Sequence, residues 1–245
     1  MSLQLIADQK TGKERMPIVA IDGPAGAGKS TAARLLAYQL GFILIDTGAL
    51  YRVLALTALQ EDVALSDGPA LASLARKLEI SFGKLEFRES DPIPVLPVFC
   101  NGAEVTKDIR SPEIGMLASN VSKLPEVREA LLQLQRDFGN TGGIVMEGRD
   151  IGTVIFPDAE IKFFLTASVE SRAQRRWEEL QAVGKSISLD QVIGETKARD
   201  EQDTNRTHAP LRKANDALLI DSTTIRLPDV VQQMAEIARE KINKK

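Results

Sequence analysis

The chain of 245 residues contains one cysteine and one histidine. A lone cysteine, Cys100, cannot form an intrachain disulfide, which excludes a small disulfide-stabilised fold and fits a reducing cytoplasm. Cys100 lies among apolar residues in "PVFCNG" with no cationic neighbour, so we expect it to be buried rather than reactive. The lone histidine, His208, lies in "THAPL", and we assign it no catalytic role.

The sequence also has no long hydrophobic run and no excess of basic charge. No apolar stretch approaches the roughly 20 residues that span a bilayer. The first residues, "MSLQLIADQKTGKERM", do not combine a basic start with an apolar segment, so they do not resemble a secretory signal. The net charge of -3 argues against a broad nucleic-acid-binding surface. We expect a cytoplasmic monomer without membrane or nucleic-acid partners, whose residues 1–15 form a disordered polar leader.

Short apolar runs alternate with helical stretches over most of the chain. The runs that predict buried strands are "PIVAID" (17–22), "FILID" (42–46), "GGIVME" (142–147), "IKFFL" (161–165) and "ALLID" (217–221). Strands that alternate with helices imply parallel pairing with right-handed crossovers. The sequence therefore predicts a three-layer α/β fold with a parallel five-stranded sheet, as in P-loop NTPases.

Two segments interrupt this alternation. Residues 80–109 are rich in proline and contain Asn101–Gly102, a hairpin turn signal, so we predict a small antiparallel β-rich insertion. A later polar segment has Gly184 between two helical arms with arginines on both sides, and we predict a helical lid over about 172–206. The insertion is the alternative candidate for the part that moves. The predicted core comprises residues 16–79 and 110–245.

The stretch "GPAGAGKST" follows the first predicted strand and precedes a helix. It matches G-x-x-x-x-G-K-S in the strand–loop–helix context in which that motif binds phosphates. Its backbone N–H groups would form an anion nest, Lys29 would reach the β- and γ-phosphates, and Ser30 would offer its hydroxyl to Mg2+. The predicted ATP-binding residues are Gly23, Pro24, Ala25, Gly26, Ala27, Gly28, Lys29, Ser30 and Thr31.

A nucleoside triphosphate site leaves several classes of protein open. A GTPase switch would carry N-K-x-D after a strand, and this sequence has none. A water-activating ATPase would carry a glutamate at a strand end, and Glu147 occupies such a position, so that class stays open on this feature alone. The distribution of arginines favours a transferase with a second phosphorylated substrate, because arginine suits planar, bidentate contact with phosphate.

Three groups of polar residues are expected at the carboxyl edge of the sheet, where open parallel sheets bind ligands. They are Thr47, Tyr51 and Arg52 in "DTGALYR", Arg149 and Asp150 in "MEGRDIGT", and Arg199, Asp203 and Arg206 in "ARDEQDTNR". The last three are spaced to share one helix face. The alternative is an exposed ion-pair ladder. The same alternative applies to Arg172 and Arg176, which could pair with Glu170, Glu178 or Glu179.

Together these motifs resemble those of bacterial-type cytidylate kinases, in the nucleoside monophosphate kinase family. The matching stretches are "IDGPAGAGKST", "DTGALYR", "SPEI", "VREAL", "GRDIGTV", "RDEQDTNR" and "DALLIDST", and residues 80–109 resemble the extension of the bacterial form. The match runs from about Ile18 to the final helix. Glu147 and Thr47 stand where the family also uses aspartate and serine, which keeps the chemical type.

The resemblance implies transfer of the ATP γ-phosphoryl group to CMP or dCMP, with Mg2+, by direct in-line attack without a covalent intermediate. Residues that would line the monophosphate site are Thr47, Tyr51 and Arg52. Residues that would face the cytosine are Ser119, Arg128 and Asp150. Residues that would hold the acceptor's phosphate and sugar are Arg149, Arg199, Asp203 and Arg206. Those that would stabilise the transferred charge are Lys29, Arg149, Arg199 and Arg206.

Cytosine offers a donor at N4 and acceptors at N3 and O2, whereas uracil reverses the sense at positions 3 and 4. Asp150 can accept from N4, while Arg128 and Ser119 can donate to N3 and O2, so a pocket of this kind would discriminate against UMP. Two alternatives remain from the sequence: a P-loop kinase of another nucleoside monophosphate or small metabolite, and a regulatory protein that hydrolyses nucleotide slowly.

Overall fold

The structure is a computed structural model that describes residues 15–88, 91–182 and 184–243. Except for Arg15, the predicted leader lies outside the described residues. Five parallel strands form the main sheet in the order β2-β6-β1-β7-β8. They are β1 (Met16–Asp22), β2 (Ile43–Asp46), β6 (Gly142–Gly148), β7 (Ile161–Thr166) and β8 (Leu218–Asp221). The prediction of a parallel five-stranded sheet is therefore confirmed.

The two faces of the sheet bury different side chains because residues alternate along each strand. Val19 and Ile21 of β1 pack with helices α1 (Lys29–Leu40) and α8 (Leu227–Asn243). Ile18 and Ala20 face the opposite layer, where helix α5 (Pro125–Phe138) contributes Leu132 and Phe138. Helices on both faces make the three layers that the sequence predicts.

The remaining helices connect and flank these layers. They are α2 (Thr47–Gln60), α3 (Gly68–Ala75), α4 (Pro112–Val121), α6 (Val169–Ala182) and α7 (Leu189–Asn205), with a 3-10 turn at Asp108–Arg110 and a π-helical turn at Ile151–Ile155. α4 and α5 each begin with a proline, as their sequences predict. No helix in the described part of the chain is long and apolar enough to cross a membrane.

Each predicted strand differs from the observed one by a single residue at one end: β1 starts one residue earlier, β2 and β8 start one residue later, and β6 and β7 end one residue later. The second strand begins at Ile43, not at Phe42, because the Phe42 amide donates to Ala37 O (2.9 Å) and so completes the end of α1. Gly41 lies just before it with φ +67°, a left-handed conformation that closes the helix.

A second, antiparallel sheet follows α3. Its strands are β3 (Ile80–Phe82), β4 (Val98–Cys100) and β5 (Ala103–Glu104), in the order β3-β4-β5. The turn between the last two is Asn101–Gly102, whose φ values of +50° and +81° fit the tight hairpin that the sequence predicts. Leu96, in the segment before β4, is buried in the same cluster as α1, so this region packs on the main core. The small antiparallel insertion is confirmed, and Cys100 is buried within it.

Candidate active site

The carboxyl ends of the adjacent strands β2, β6 and β1 bring four acidic or glycine positions to one edge of the sheet. In the parallel register Asp22 pairs with Gly148, and Asp46 pairs with Glu147. A predicted segment follows each strand: the loop 23–28 after β1, the start of α2 after β2, and Arg149 after β6. The fold therefore brings the predicted phosphate loop and two of the three predicted polar groups to the same edge of the sheet.

The loop after β1 is held from outside. Three loop carbonyls accept hydrogen bonds from side chains beyond the loop: Ala25 O from Arg172 (3.1 Å), Gly26 O from Arg175 (3.4 Å) and Ala27 O from Ser222 (3.1 Å). In a trans peptide the C=O and the following N–H point in opposite directions. Because these carbonyls are turned outward, the amides of residues 26–28 are turned inward, which is the arrangement of an anion nest.

Gly23 shows why this loop tolerates no side chain at its start. Its φ is +147°, and a Cβ there would lie 1.9 Å from Leu165 O on the neighbouring strand. Both the conformation and the space therefore require glycine.

Lys29 and Ser30 begin α1 directly behind the loop. Lys29 is buried, with 5% of its surface exposed, and its Nζ donates to Pro24 O (2.7 Å). Burial and the nearby guanidinium of Arg149 lower the pKa of the Lys29 ammonium. This ammonium lacks a hydrogen-bonded carboxylate among the residues that the structure describes, which leaves its charge for an anion in the nest.

Ser30 contacts the carboxylate of Glu147, Oγ to Oε2, at 3.0 Å. Burial raises the pKa of Glu147 to about 7, and the negative charge of Asp46 adds to that effect. Burial also raises the pKa of Asp46, but Arg110, Arg52 and Arg34 outweigh it and hold that pKa below its ordinary value. Ser30 Oγ thus lies beside one carboxylate, and both are hard oxygen ligands of the type that Mg2+ takes together with phosphate and water oxygens.

Five side chains from α5, from the segment after β6 and from the end of α7 form an alternating series of charges, here named the charge chain. They are Arg128, Asp150, Arg206, Asp203 and Arg149. Arg128 Nη2 lies 2.5 Å from Asp150 Oδ2, and Arg149 Nε lies 2.8 Å from Asp203 Oδ2. Arg206 lies between the two carboxylates, 3.7 Å from Asp150 and 3.9 Å from Asp203. Because each carboxylate is shared by two arginines, the guanidinium groups are positioned before any substrate arrives.

Two buried donors in this region have no hydrogen-bond partner within the described ranges: Arg199 Nε and Arg206 Nη2. Burial lowers the pKa of Arg199 to about 10, and the positive charge of Arg149 acts in the same direction. The charge of Arg199 also lowers the pKa of Lys29, so the two cations are close enough to repel each other. A buried donor without a partner carries a free-energy cost that an anion would remove.

A cavity of about 330 Å³ adjoins one end of the charge chain. Its lining includes Arg128, Asp150, Gln135 and His208. Ser119 lies on α4 and accepts a hydrogen bond from Gln202 of α7. The polar groups at this end can pair with both donors and acceptors of a planar ring.

A family model for cytidylate kinases matches residues 19–240. The chain belongs to the cytidylate kinase family. It is 50% identical to the cytidylate kinase of Geobacter sulfurreducens over 224 residues, which covers 91% of this chain and 93% of that protein. It is 47% identical to the cytidylate kinase of Vibrio cholerae over 226 residues, 92% of this chain and 97% of that protein. These matches confirm the resemblance to cytidylate kinases that the sequence motifs indicate.

Among solved structures, the shikimate kinase of Acinetobacter baumannii is similar at a TM-score of 0.41 and 15% identity, over 92% of this chain and 94% of that one. A TM-score this low carries no argument. The fold assignment depends on the strand order of this chain itself.

The residues that the cytidylate kinase resemblance assigns to the monophosphate lie at the start of α2. Thr47 donates from Oγ1 to Glu147 O (2.8 Å), and Arg52 donates from Nη1 to Ile109 O (3.0 Å). Tyr51 is buried, with the Arg128 guanidinium 5.9 Å from its ring centre. Tyr51 therefore supports the charge chain, while Thr47 and Arg52 lie near Asp46 and Glu147. Their roles toward a ligand stay predictions.

Arg206 keeps the position beside Asp203 that its spacing predicts, with its Nη1 3.9 Å from Asp203 Oδ1. α7 ends at Asn205, and Arg206 turns the following chain out of the helix with ψ 141°. Its Nε donates to Ala209 O (2.7 Å).

Arg172 pairs with none of the glutamates that its spacing suggested. It is buried and binds Asp200 through two hydrogen bonds, of 2.9 and 2.6 Å. Arg172 reaches Asp200, 28 residues away in the sequence, because α6 packs against α7. Arg176 does pair with Glu179, at 3.0 Å on an exposed surface.

Sequence reasoning missed three residues near the site. Arg110 pairs with Asp46 at 3.0 Å, and Gln202 donates to Ser119. Arg34 acts on the pKa of Asp46 from α1. Arg34 is four residues after Ser30 and so on the same helix face, a spacing that would have identified it. Arg110 lies beside the quoted "SPEI" and Gln202 lies within the quoted "ARDEQDTNR", but their partners are distant in the sequence.

Proposed function

We propose that this chain is a cytidylate kinase that transfers the γ-phosphoryl group of ATP to CMP or dCMP, giving CDP or dCDP. The observation that carries the proposal is that the phosphate loop and the Arg149–Asp150 part of the charge chain follow two adjacent strands, β1 and β6, at one edge of the sheet. The loop supplies inward-turned amides and Lys29, and the charge chain supplies paired arginines and Asp150.

On the donor side, the inward amides of residues 26–28 and Lys29 would hold the β- and γ-phosphates. Ser30 would contact Mg2+, and Glu147, whose carboxylate lies 3.0 Å from Ser30 Oγ, would do so through water. When bound, Mg2+ neutralises charge on the phosphates. The donor set fits the ion because all of these groups are hard oxygen ligands.

On the acceptor side, Arg52, Arg149 and Arg199 would hold the phosphate of CMP. Arg199 Nε has no hydrogen-bond partner among the described residues, so it can donate to an acceptor phosphate without breaking another bond. Asp203 and Arg206 would lie toward the sugar. Asp150 would accept from cytosine N4, and Arg128 and Ser119 would donate to N3 and O2.

The reaction needs positioning more than proton transfer. An oxygen of the CMP phosphate is already ionised, so it can attack the γ-phosphorus directly while the bond to the β–γ bridging oxygen breaks and ADP leaves. Lys29, Arg149, Arg199 and Arg206 would stabilise the charge that moves with the phosphoryl group. Exclusion of water favours transfer over hydrolysis, and we assign this role to α6 and α7 as a lid over about 172–206.

We further propose that residues 80–109 are a subdomain beside the CMP site and that residues 16–79 and 110–245 are the kinase core. We expect the enzyme to act as a cytoplasmic monomer, since every group assigned to the site comes from one chain.

A coupled assay of ADP release tests the proposal. The purified chain with ATP and Mg2+ is given CMP, dCMP, UMP, AMP and GMP in turn. We expect transfer to CMP and dCMP, weaker transfer to UMP, and little to the purine nucleotides. Activity with another acceptor only would support a different P-loop kinase, and ATP hydrolysis without transfer would support the slow regulatory hydrolase.

A further inference from the structure

Gln202 joins the lid helix to the helix that carries Ser119. Its Nε2 lies 3.2 Å from Ser119 Oγ and 3.3 Å from Ser119 O. The contact connects α7, one residue before Asp203, with α4, and the two residues are 83 positions apart in the sequence. Both side chains are half-buried.

The direction of these hydrogen bonds is fixed by chemistry. A backbone carbonyl can only accept, so the group that Gln202 presents to Ser119 O must be its NH2 and not its amide oxygen. The same NH2 group faces Ser119 Oγ, which therefore accepts as well. A hydroxyl has one proton, and a hydroxyl oxygen that accepts from Gln202 directs that proton away from Gln202.

We propose that Gln202 is a specificity-determining positioning residue, which holds the Ser119 hydroxyl as a donor toward the base of the nucleotide acceptor. This inference rests on the proposed function, in which Ser119 faces the base. A hydroxyl held as a donor matches a ring nitrogen that accepts, as cytosine presents at N3. It mismatches an N–H, as uracil presents at position 3, so Gln202 favours CMP over UMP without touching either.

The position of Gln202 also couples base recognition to phosphate binding. Gln202 shares α7 with Arg199 and Asp203, and Asp203 anchors Arg149 at 2.8 Å. A base that fits Ser119 therefore favours the placement of α7 that brings these groups to the phosphate.

Two substitutions separate the donor role from simple packing. Gln202→Glu keeps the size but replaces a donor with an acceptor, so the Ser119 hydroxyl turns to donate to the new carboxylate and no longer to the base. We expect the ratio of kcat/KM for CMP over UMP to fall about tenfold, the effect of one reversed hydrogen bond. Gln202→Leu removes the donor without reversing it, and we expect a fall of about threefold.

The ratio is the decisive readout, because a structural defect or the added negative charge of Gln202→Glu would weaken CMP and UMP alike. Gln191→Glu is the matched control: it lies on α7, is exposed, and bonds to Glu195 away from Ser119. We expect it to leave the ratio unchanged. Thermal melting of each variant checks that it folds.

Ser119→Ala completes the test as a double-mutant cycle. We expect Ser119→Ala alone to lower the CMP/UMP ratio, and Gln202→Glu to lower it no further in that background. If Gln202→Glu leaves the ratio intact in the wild-type background, or lowers it equally without the Ser119 hydroxyl, the inference is overturned while the proposed function stands. If the wild-type chain does not phosphorylate CMP, or Ser119→Ala does not change the ratio, the assignment of the acceptor site fails and the inference with it.

Discussion

The phosphate loop and the charge chain prepare sites for anions by different means. The loop uses backbone amides, turned inward because the carbonyls of residues 25–27 are hydrogen-bonded from outside. The charge chain uses side chains, and its guanidinium groups are positioned by Asp150 and Asp203. The loop should therefore be sensitive to added volume, while the charge chain should be sensitive to the loss of a single charge.

The difference also fits what each site has to recognise. A triphosphate tail is identified by its charge and spacing alone, for which amides and one ammonium suffice. A nucleoside monophosphate has a base, a sugar and a phosphate, and directional side chains are needed to tell one from another. The largest predicted effect concerns Arg199, whose Nε has no hydrogen-bond partner among the described residues.

Arg199→Met should lower turnover by about 10³-fold, because it removes a half-buried cation that we propose to hold the acceptor phosphate and to stabilise the transferred charge. Single-turnover assays with ATP, Mg2+ and CMP measure the effect. The control is Arg226→Met, since Arg226 is on the surface with 82% of its side chain exposed. Near-normal turnover of folded Arg199→Met protein would remove Arg199 from the mechanism.

Gly23→Ala should destabilise the fold by about 3–4 kcal/mol, because strain at φ +147° adds to the overlap of the new Cβ with Leu165 O. Urea unfolding measures the loss. Gly102→Ala is the matched control: its φ is +81° and no atom lies within 4 Å of the new Cβ. That variant should cost only about 1–2 kcal/mol. Equal losses would show that the loop is not as tightly confined as the structure indicates.

Asp150→Asn should raise the KM for CMP about 100-fold, because Arg128 and Arg206 lose the negative charge they share and one of the two acceptor oxygens becomes a donor. The KM for ATP should change less than about twofold, since Asp150 lies outside the phosphate loop. Steady-state kinetics with each substrate varied in turn test this. A comparable rise in both KM values would mean that the two sites are not built separately.

Asp22 joins the two regions and gives the smallest predicted effect. Its carboxylate accepts from Ile151 N (2.8 Å) and Gly152 N (2.7 Å), just beyond Asp150. Burial raises the pKa of Asp22 from 3.8 to about 6, despite these two hydrogen bonds. Between about pH 4 and 6 the folded protein thus holds a proton that the unfolded chain releases, so this group's contribution to stability falls as pH rises.

Asp22→Asn removes that titration. The variant should be less stable than wild type at pH 4, and the gap should narrow by about 2 kcal/mol by pH 7. Urea unfolding of both proteins without nucleotides, from pH 4 to pH 7, measures the gap. A gap that stays constant or widens would contradict the raised pKa of Asp22.

Local patterns were sufficient for the fold and for the phosphate loop. The buried strands are short apolar runs, and "GPAGAGKS" carries its own conformational requirements, so both could be predicted from neighbouring residues. Side-chain partners across the fold could not. Arg172 binds Asp200 because α6 packs on α7, and no spacing within α6 contains that information. The additional contact of Arg206 with Asp150, 56 residues away, was equally outside any local pattern.

The same limit applies to Arg110 and Gln202. Arg110 lies beside a motif and Gln202 within one, but the importance of each depends on a partner 64 or 83 residues away. The family resemblance assigned roles to other residues of these motifs, and it did not extend to the two that hold them in place.

Calorimetric titration of two variants tests the central claim most directly. Lys29→Met and Arg128→Met are each titrated with ATP and with CMP, Mg2+ being present throughout. The account predicts that Lys29→Met weakens ATP binding and leaves CMP binding close to wild type, while Arg128→Met does the reverse. If each variant weakened both nucleotides to the same extent, the donor and acceptor sites would not be the two separately built regions described here.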